Sequence, residues 1–194
     1  MFKEYFLPIF LGALPLSVNW WLNRKKEQKQ KESKLRFFVP AVASVLERYS
    51  NGSLEAERDV SLWADSNGAD GREVVEEVLL DGFPTEIDWT VVDDELLNKI
   101  FSFSNEIDVL RCNCIREQES EPSPYDKAYI RARRYYEQGI RAWEIAKELR
   151  ERIGLPSPLE EHFEEAWSYL SGHYAQKDAD YVRLLAKAEQ EEAA

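Results

Sequence analysis

The nineteen residues from Tyr5 to Asn23 carry no charge, and nine of them are Leu, Ile, Val or Phe. They are followed at once by "RKKEQKQKESKLR". A helix of that length spans roughly 28 Å at ~1.5 Å per residue, close to the ~30 Å hydrocarbon core of a bilayer. Summed insertion preferences of the nine residues give roughly −4 kcal/mol, opposed only by Pro8, Pro15 and Asn19. Pro8 falls in the first turn, where its missing N–H is not needed, and Pro15 is expected to kink the span.

Competing readings of the segment are weaker. A soluble core helix needs a polar stripe, and this stretch is apolar all round. A cleaved signal peptide needs a basic start and a small-residue cleavage site, whereas here the bases follow the apolar run. A re-entrant or interfacial segment, favoured by the two prolines, is the remaining alternative.

Orientation follows from the bases. Seven lie between Arg24 and Arg36, and only Lys3 precedes the span, so the positive-inside rule places the carboxyl side in the cytoplasm. Trp20 and Trp21 sit where an aromatic belt belongs, and Trp20, Trp21, Arg24, Lys25 and Lys26 form the expected membrane interface. The expected location is the inner (cytoplasmic) membrane, single-pass, with the amino terminus outside. The chain thus divides into an anchor (1–23), a basic juxtamembrane collar (24–36) and an acidic helical cytoplasmic domain (37–194), with the lipid bilayer as a partner through residues 5–23.

Charge is unevenly placed within the overall −12 of the 194 residues. The collar carries +5, seven bases less two acids, whereas residues 37–121 sum to −14 and 122–194 to −3. An acidic domain behind a basic collar stands off anionic lipid while the collar is drawn to it. The same charge disfavours nucleic acid as a partner.

Within the domain, Trp89, Val92, Leu96, Ile100, Phe103, Ile107, Leu110 and Cys114 recur at helical spacing, with Asp88 as a cap and Asp93, Asp94 and Glu95 in the early turns. "EQESEPSP" ends that helix. A second stripe, Tyr125, Tyr129, Ala132, Tyr136, Ile140, Trp143, Ala146, Leu149 and Ile153, is closed by Gly154 and Pro156. The short Pro-rich link predicts that these two helices pack antiparallel on one another.

Flanking elements are shorter. "PAVASVLERYSNG" predicts a helix ending in an Asn-Gly turn, continuous with the anchor at most as far as Pro40. Residues 53–67 are open between helix and strand, "DGREVVEEVLLDG" predicts a helix of about nine residues, and two amphipathic helices close the chain. The expected fold is all-α: a single amino-terminal transmembrane helix plus a helical bundle built on a long antiparallel, coiled-coil-like hairpin.

Chemistry is sparse. Neither His162 nor His173 follows an acid at the spacing of a di-iron bundle, and no phosphate loop, dinucleotide fingerprint, zinc-protease or serine-nucleophile motif is present. Adjacent acids such as Asp93/Asp94 and Glu160/Glu161 diverge around a helix and are expected to be solvated. Cys112 and Cys114 lack the partners for a structural zinc. No catalytic residue, metal or cofactor is expected, and the chain is not expected to be an enzyme.

Lys127, Arg131, Arg134 and Arg141 follow one line down the second long helix, and Tyr135 lies off its apolar stripe. These five form a candidate partner surface. The plainer expectation is that the basic ridge meets the acidic flank of the first long helix or stays solvated. The layout is similar to many bacterial single-pass proteins with a short anchor and a helical cytoplasmic domain, a likeness of architecture alone. The expected function is a membrane-tethered helical adaptor that presents its domain to a protein partner or to its own copies. The alternative is a ligand- or nucleic-acid-sensing module that uses the ridge.

Overall fold

A computed structural model of the chain describes the backbone of residues 3–72, 78–117, 124–157 and 160–192, and the side chains of 18–72, 78–109, 127–157, 160–180 and 183. Its described elements are four α-helices, α1 (Lys3–Asp65), α2 (Asp94–Glu117), α3 (Pro124–Arg152) and α4 (Glu160–Glu192), with a 3-10 turn at Trp89–Val91. No strand occurs among the described residues, so the all-α expectation holds. Residues 53–65 are helix.

Helix α1 runs for 63 residues, about 95 Å at the usual rise, straight through Pro40 and through Asn51 and Gly52. Both were expected to limit helices. Proline removes one hydrogen bond and crowds the carbonyl four residues back, but here that carbonyl belongs to exposed Arg36, where water can satisfy it. The residues around Pro40 supply the compensation: Phe38, Val39, Val42 and Ala43 are all buried. Gly52 is likewise held in helix by its neighbours, because Ser50 and Ser53 are fully buried. The helix stops only at Asp65, with Asn67 left-handed (φ 53°) and Gly68 N–H donating to the Trp63 carbonyl at 2.8 Å.

The chain then doubles back along α1. Gly71 has φ 76°, and a Cβ there would lie 2.3 Å from the Asp59 carbonyl oxygen, so glycine alone fits this close reversal. Arg72 returns to Asp59, Val78 packs on Gly52, Arg48 pairs with Asp81 at 3.1 Å, and Lys34 with Asp88 at 2.7 Å. Residues 78–82, expected to be part of a helix, are instead a non-helical strap; residues 73–77 of that expectation lie outside the described set. The strap persists because Val78, Leu80, Phe83 and Ile87 turn onto the core.

At the foot of the strap Asp88 caps the 3-10 turn, accepting from Thr90 N–H, while α2 is capped by Asp93, whose Oδ1 accepts from Leu96 N–H at 3.1 Å. The long helix thus begins one short turn later than expected. Asp94 and Glu95 occupy its first turn, where the helix dipole favours them. The link between α2 and α3 falls in residues 118–123, outside the described set.

Helix α3 is the centre of the bundle and antiparallel to the other three. Helices α2 and α3 lie antiparallel on one another as expected, joined by Lys99–Glu148 and Arg141–Glu106, but the principal partner of α3 is α1. The reason is side-chain size: small residues of α3, Gly139, Ala142 and Ala146, lie against Val42, Leu46 and Ser53, with Ala132 in the other core beside Val60, and they let the two backbones approach closely. Helix α2 stands further off across Leu96, Ile100 and Phe103, and α4 across Phe163, Trp167 and Tyr174.

Two cores result. One joins α1 (38–49), α2 and the lower part of α3, and the other joins α1 around Val60, the upper part of α3 and α4. Helix α3 ends as predicted, with Gly154 at φ 67° and Leu155 N–H donating to the Arg150 carbonyl at 3.0 Å. The two closing helices expected from sequence are one, α4, since Asp178 and Asp180 lie on its surface and do not interrupt it.

Candidate functional site

Three places were open to function on the sequence: the tryptophan-lysine end of α1, the basic ridge of α3, and the cysteines. Side chains 18–34 of α1 are exposed throughout; Lys34 meets the bundle through Asp88, and Leu35 is the first to pack on its core. The tryptophans therefore sit about 25 Å from Phe38 along a free helical rod. Trp20 and Trp21 are 60% and 53% exposed. Arg24 Cζ lies 4.8 Å from the Trp20 ring centroid and Lys25 Nζ 4.2 Å from that of Trp21. Each is a pair one helical turn apart, in which a cation covers an aromatic face. Lys26 is exposed beside them.

Among the described residues no helix is long and apolar enough to cross a membrane. Most of the expected span, residues 5–17, lies outside the described side chains, although the backbone there is continuous with α1.

The ridge of α3 is distributed rather than gathered. Arg141 donates to Glu106 of α2, with Nη2 3.1 Å from Oε1. Gln138, on the same line, accepts from the Tyr49 hydroxyl of α1 at 2.6 Å. Arg131 and Arg134 are half-buried and engaged, and Lys127 is half-buried. Tyr135 is half-buried and packs against the upper core. Beside the line, Arg133 binds Glu137 at 3.0 Å and also Asp178 of α4. Its lower turns thus lie against α1 and α2.

Adjacent acids serve the scaffold. Asp93 caps α2 and pairs with Arg152, and Glu160 pairs with Lys147 at 3.2 Å. Cys112 and Cys114 lie outside the described side chains. No cluster of His, Cys, Asp and Glu suited to a metal occurs among the described residues. His162 is exposed, and His173 stacks on Tyr169 with centroids 6.3 Å apart.

Two buried acids of α1 were missed. Glu47 is joined through both oxygens to Arg150, at 2.6 and 2.8 Å, and also accepts from Ser157 at 3.1 Å. Glu57 is 3% exposed and accepts from the Tyr174 and Ser61 hydroxyls, each at 2.9 Å. Burial raises its pKa; the two hydrogen bonds and the charges of His173 and Lys177 oppose that. Burial, then the carboxylate beside it, raises that of Tyr174 in turn. For Glu57 the missed signal was a stripe: Val39, Val42, Leu46, Ser50, Ser53, Glu57 and Val60 keep helical spacing, and an acid on such a stripe is buried.

The geometry defines a class, an all-helical bundle hung on one long leading helix. No protein-family model, curated protein or solved structure matches this chain significantly.

Proposed function

We propose that the chain is a membrane-tethered interaction protein rather than an enzyme, anchored through residues 5–23 and holding its acidic helical domain in the cytoplasm. The observation that carries this reading is the end of α1, where Val18, Trp20, Trp21 and Leu22 are each at least half exposed and follow one another around the helix. Apolar side chains clustered on a free helix are covered by something, and a lipid interface is the cover that also suits tryptophan capped by Arg24 and Lys25. The uncharged run that precedes them has the length of a single span.

Continuity of α1 adds a mechanical element. The anchor, the collar and the first core helix are one rod, so the domain is held at a set distance from the bilayer rather than on a loose linker. Such a mount suits a domain that meets a partner beside the membrane, either another protein or a second copy. Lys127, Arg131, Arg134, Tyr135 and Arg141 are the candidate partner surface, although Arg141 and Gln138 are already engaged within the bundle, which favours scaffolding for that part of the ridge.

A reporter fused after Ala194 tests the reading. It is expected to report from the cytoplasm, and reversal of Arg24, Lys25, Lys26 and Lys29 to Glu is expected to weaken that orientation. An exported wild-type fusion would overturn it.

A further inference from the structure

Glu47 and Glu57 are both buried acids of α1, and they are treated differently. Glu47 has its own guanidinium, Arg150. Among the described residues no basic group forms an ion pair with Glu57, and the hydroxyls of Ser61 and Tyr174 both donate to one oxygen, Oε1. Glu57 is also part of the wall of an open groove of about 310 Å³ between α1 and α4.

That groove is apolar along its sides, from Leu54, Ala166 and Leu170, and its rim carries Leu62 and Tyr169, which are 45% and 72% exposed. The Tyr169 ring lies nearly parallel to that of His173, at 17°, and both line the groove. The charged groups around Glu57 are Arg58 and Asp65 on α1 and His173 and Lys177 on α4. Lys177 lies 3.6 Å from Asp65, and Arg58 is exposed, so water screens it. A charge in the poorly polarisable wall acts more strongly on a ligand than one at the wet rim. Among the described residues, the buried acid facing the groove without an ion-paired base is therefore Glu57.

We propose that the α1/α4 groove binds a small organic monocation with an apolar body, a primary amine on an aromatic or branched aliphatic frame, with Glu57 as its counter-ion. The volume lies at the lower end of the range for ligand pockets, which suits a fragment-sized molecule. The ammonium supplies the partner that Glu57 lacks, and the apolar body covers Leu62 and the Tyr169 face, to which a cationic or aromatic group is also attracted. The site is independent of the membrane tether and lies on the opposite end of the bundle from the collar.

The test uses the full chain in a non-ionic detergent, titrated calorimetrically with 2-phenylethylamine, and with 2-phenylethanol as its uncharged counterpart. The amine is expected to bind the wild type. Glu57→Gln, which keeps Oε1 as an acceptor for both hydroxyls, is expected to weaken it by about tenfold or more, to the level of the alcohol. Tyr169→Ala, a change at an exposed position, is expected to weaken both probes. No binding of the amine at millimolar concentration, or equal binding by wild type and a folded Glu57→Gln protein, would overturn the proposal.

Discussion

Arg150, in the last turn of α3, donates from Nε and Nη2 to the two carboxylate oxygens of Glu47 in α1, and the two side chains are 10% and 7% exposed. A fork-to-fork pair of this kind fixes the register of the two central helices as well as their contact. Its value is asymmetric, because desolvation of both ions offsets much of their attraction, whereas loss of one partner strands a buried charge. Glu47→Ala or Arg150→Ala is expected to destabilise the domain by about 3–5 kcal/mol, and Glu47→Leu with Arg150→Leu by much less than either. Chemical denaturation of the three proteins measures this; an additive double change would contradict it.

Gly139 lies where α3 is tightly packed between α1 and α4. A Cβ there would stand 2.5 Å from Trp167 Cη2 and 2.9 Å from Ser53 Cβ, both in buried side chains. Alanine is worth about 1 kcal/mol over glycine in a free helix, but overpacking costs about 1–3 kcal/mol. Gly139→Ala is therefore expected to lower the melting temperature, and a rise would show that the helices can part to admit it.

Two acids give stability opposite pH slopes. Hydrogen bonds from Lys34 and then Thr90 hold Asp88 down to about 2, from an ordinary 3.8, so its contribution is present above about pH 4 and is lost as pH falls through about 2. Glu57 is raised above its ordinary 4.5 by burial, so the folded state keeps its proton longer and stability falls as pH rises above that value. Asp88→Asn is expected to flatten the acid side of the stability profile. Glu57→Gln is expected to flatten the other side and to raise the melting temperature at pH 7, the sign that its charge is kept at a cost to the fold.

How much of this was legible in the sequence depends on range. The stripe of α2 from Leu96 to Ile107, that of α3 from Tyr129 to Ile153 and the stop at Gly154 rest on neighbours within a few turns, and they stand as read. Trp89 and Val92, by contrast, precede α2, and Leu110, Cys114 and Tyr125 lie outside the described side chains. Pro40, Asn51 and Gly52 misled because local breakers were overruled by burial of Phe38, Val42 and Ser53 on partners distant in sequence, Trp89 for Phe38 and Gly139 for Ser53. The pairing of α1 with α3 follows from small residues facing one another, which no single stripe displays. The strap was missed because Val78, Leu79 and Leu80 are apolar in a row and suit a helix equally well.

The pairing of Arg141 with Glu106 joins two side chains each about half exposed. A double-mutant cycle with Arg141→Gln and Glu106→Gln is expected to give a coupling below about 1 kcal/mol. A larger value would mean that the pair organises the ridge around it.

The tether itself is tested most directly by alkaline carbonate extraction of membranes from cells that make the full chain, beside a form beginning at residue 24. Carbonate strips proteins held by charge alone, so it separates an inserted anchor from attraction of the basic collar to anionic lipid. The full chain is expected to stay in the membrane pellet and the shortened form to leave it. Release of the full chain into the soluble fraction would contradict the account.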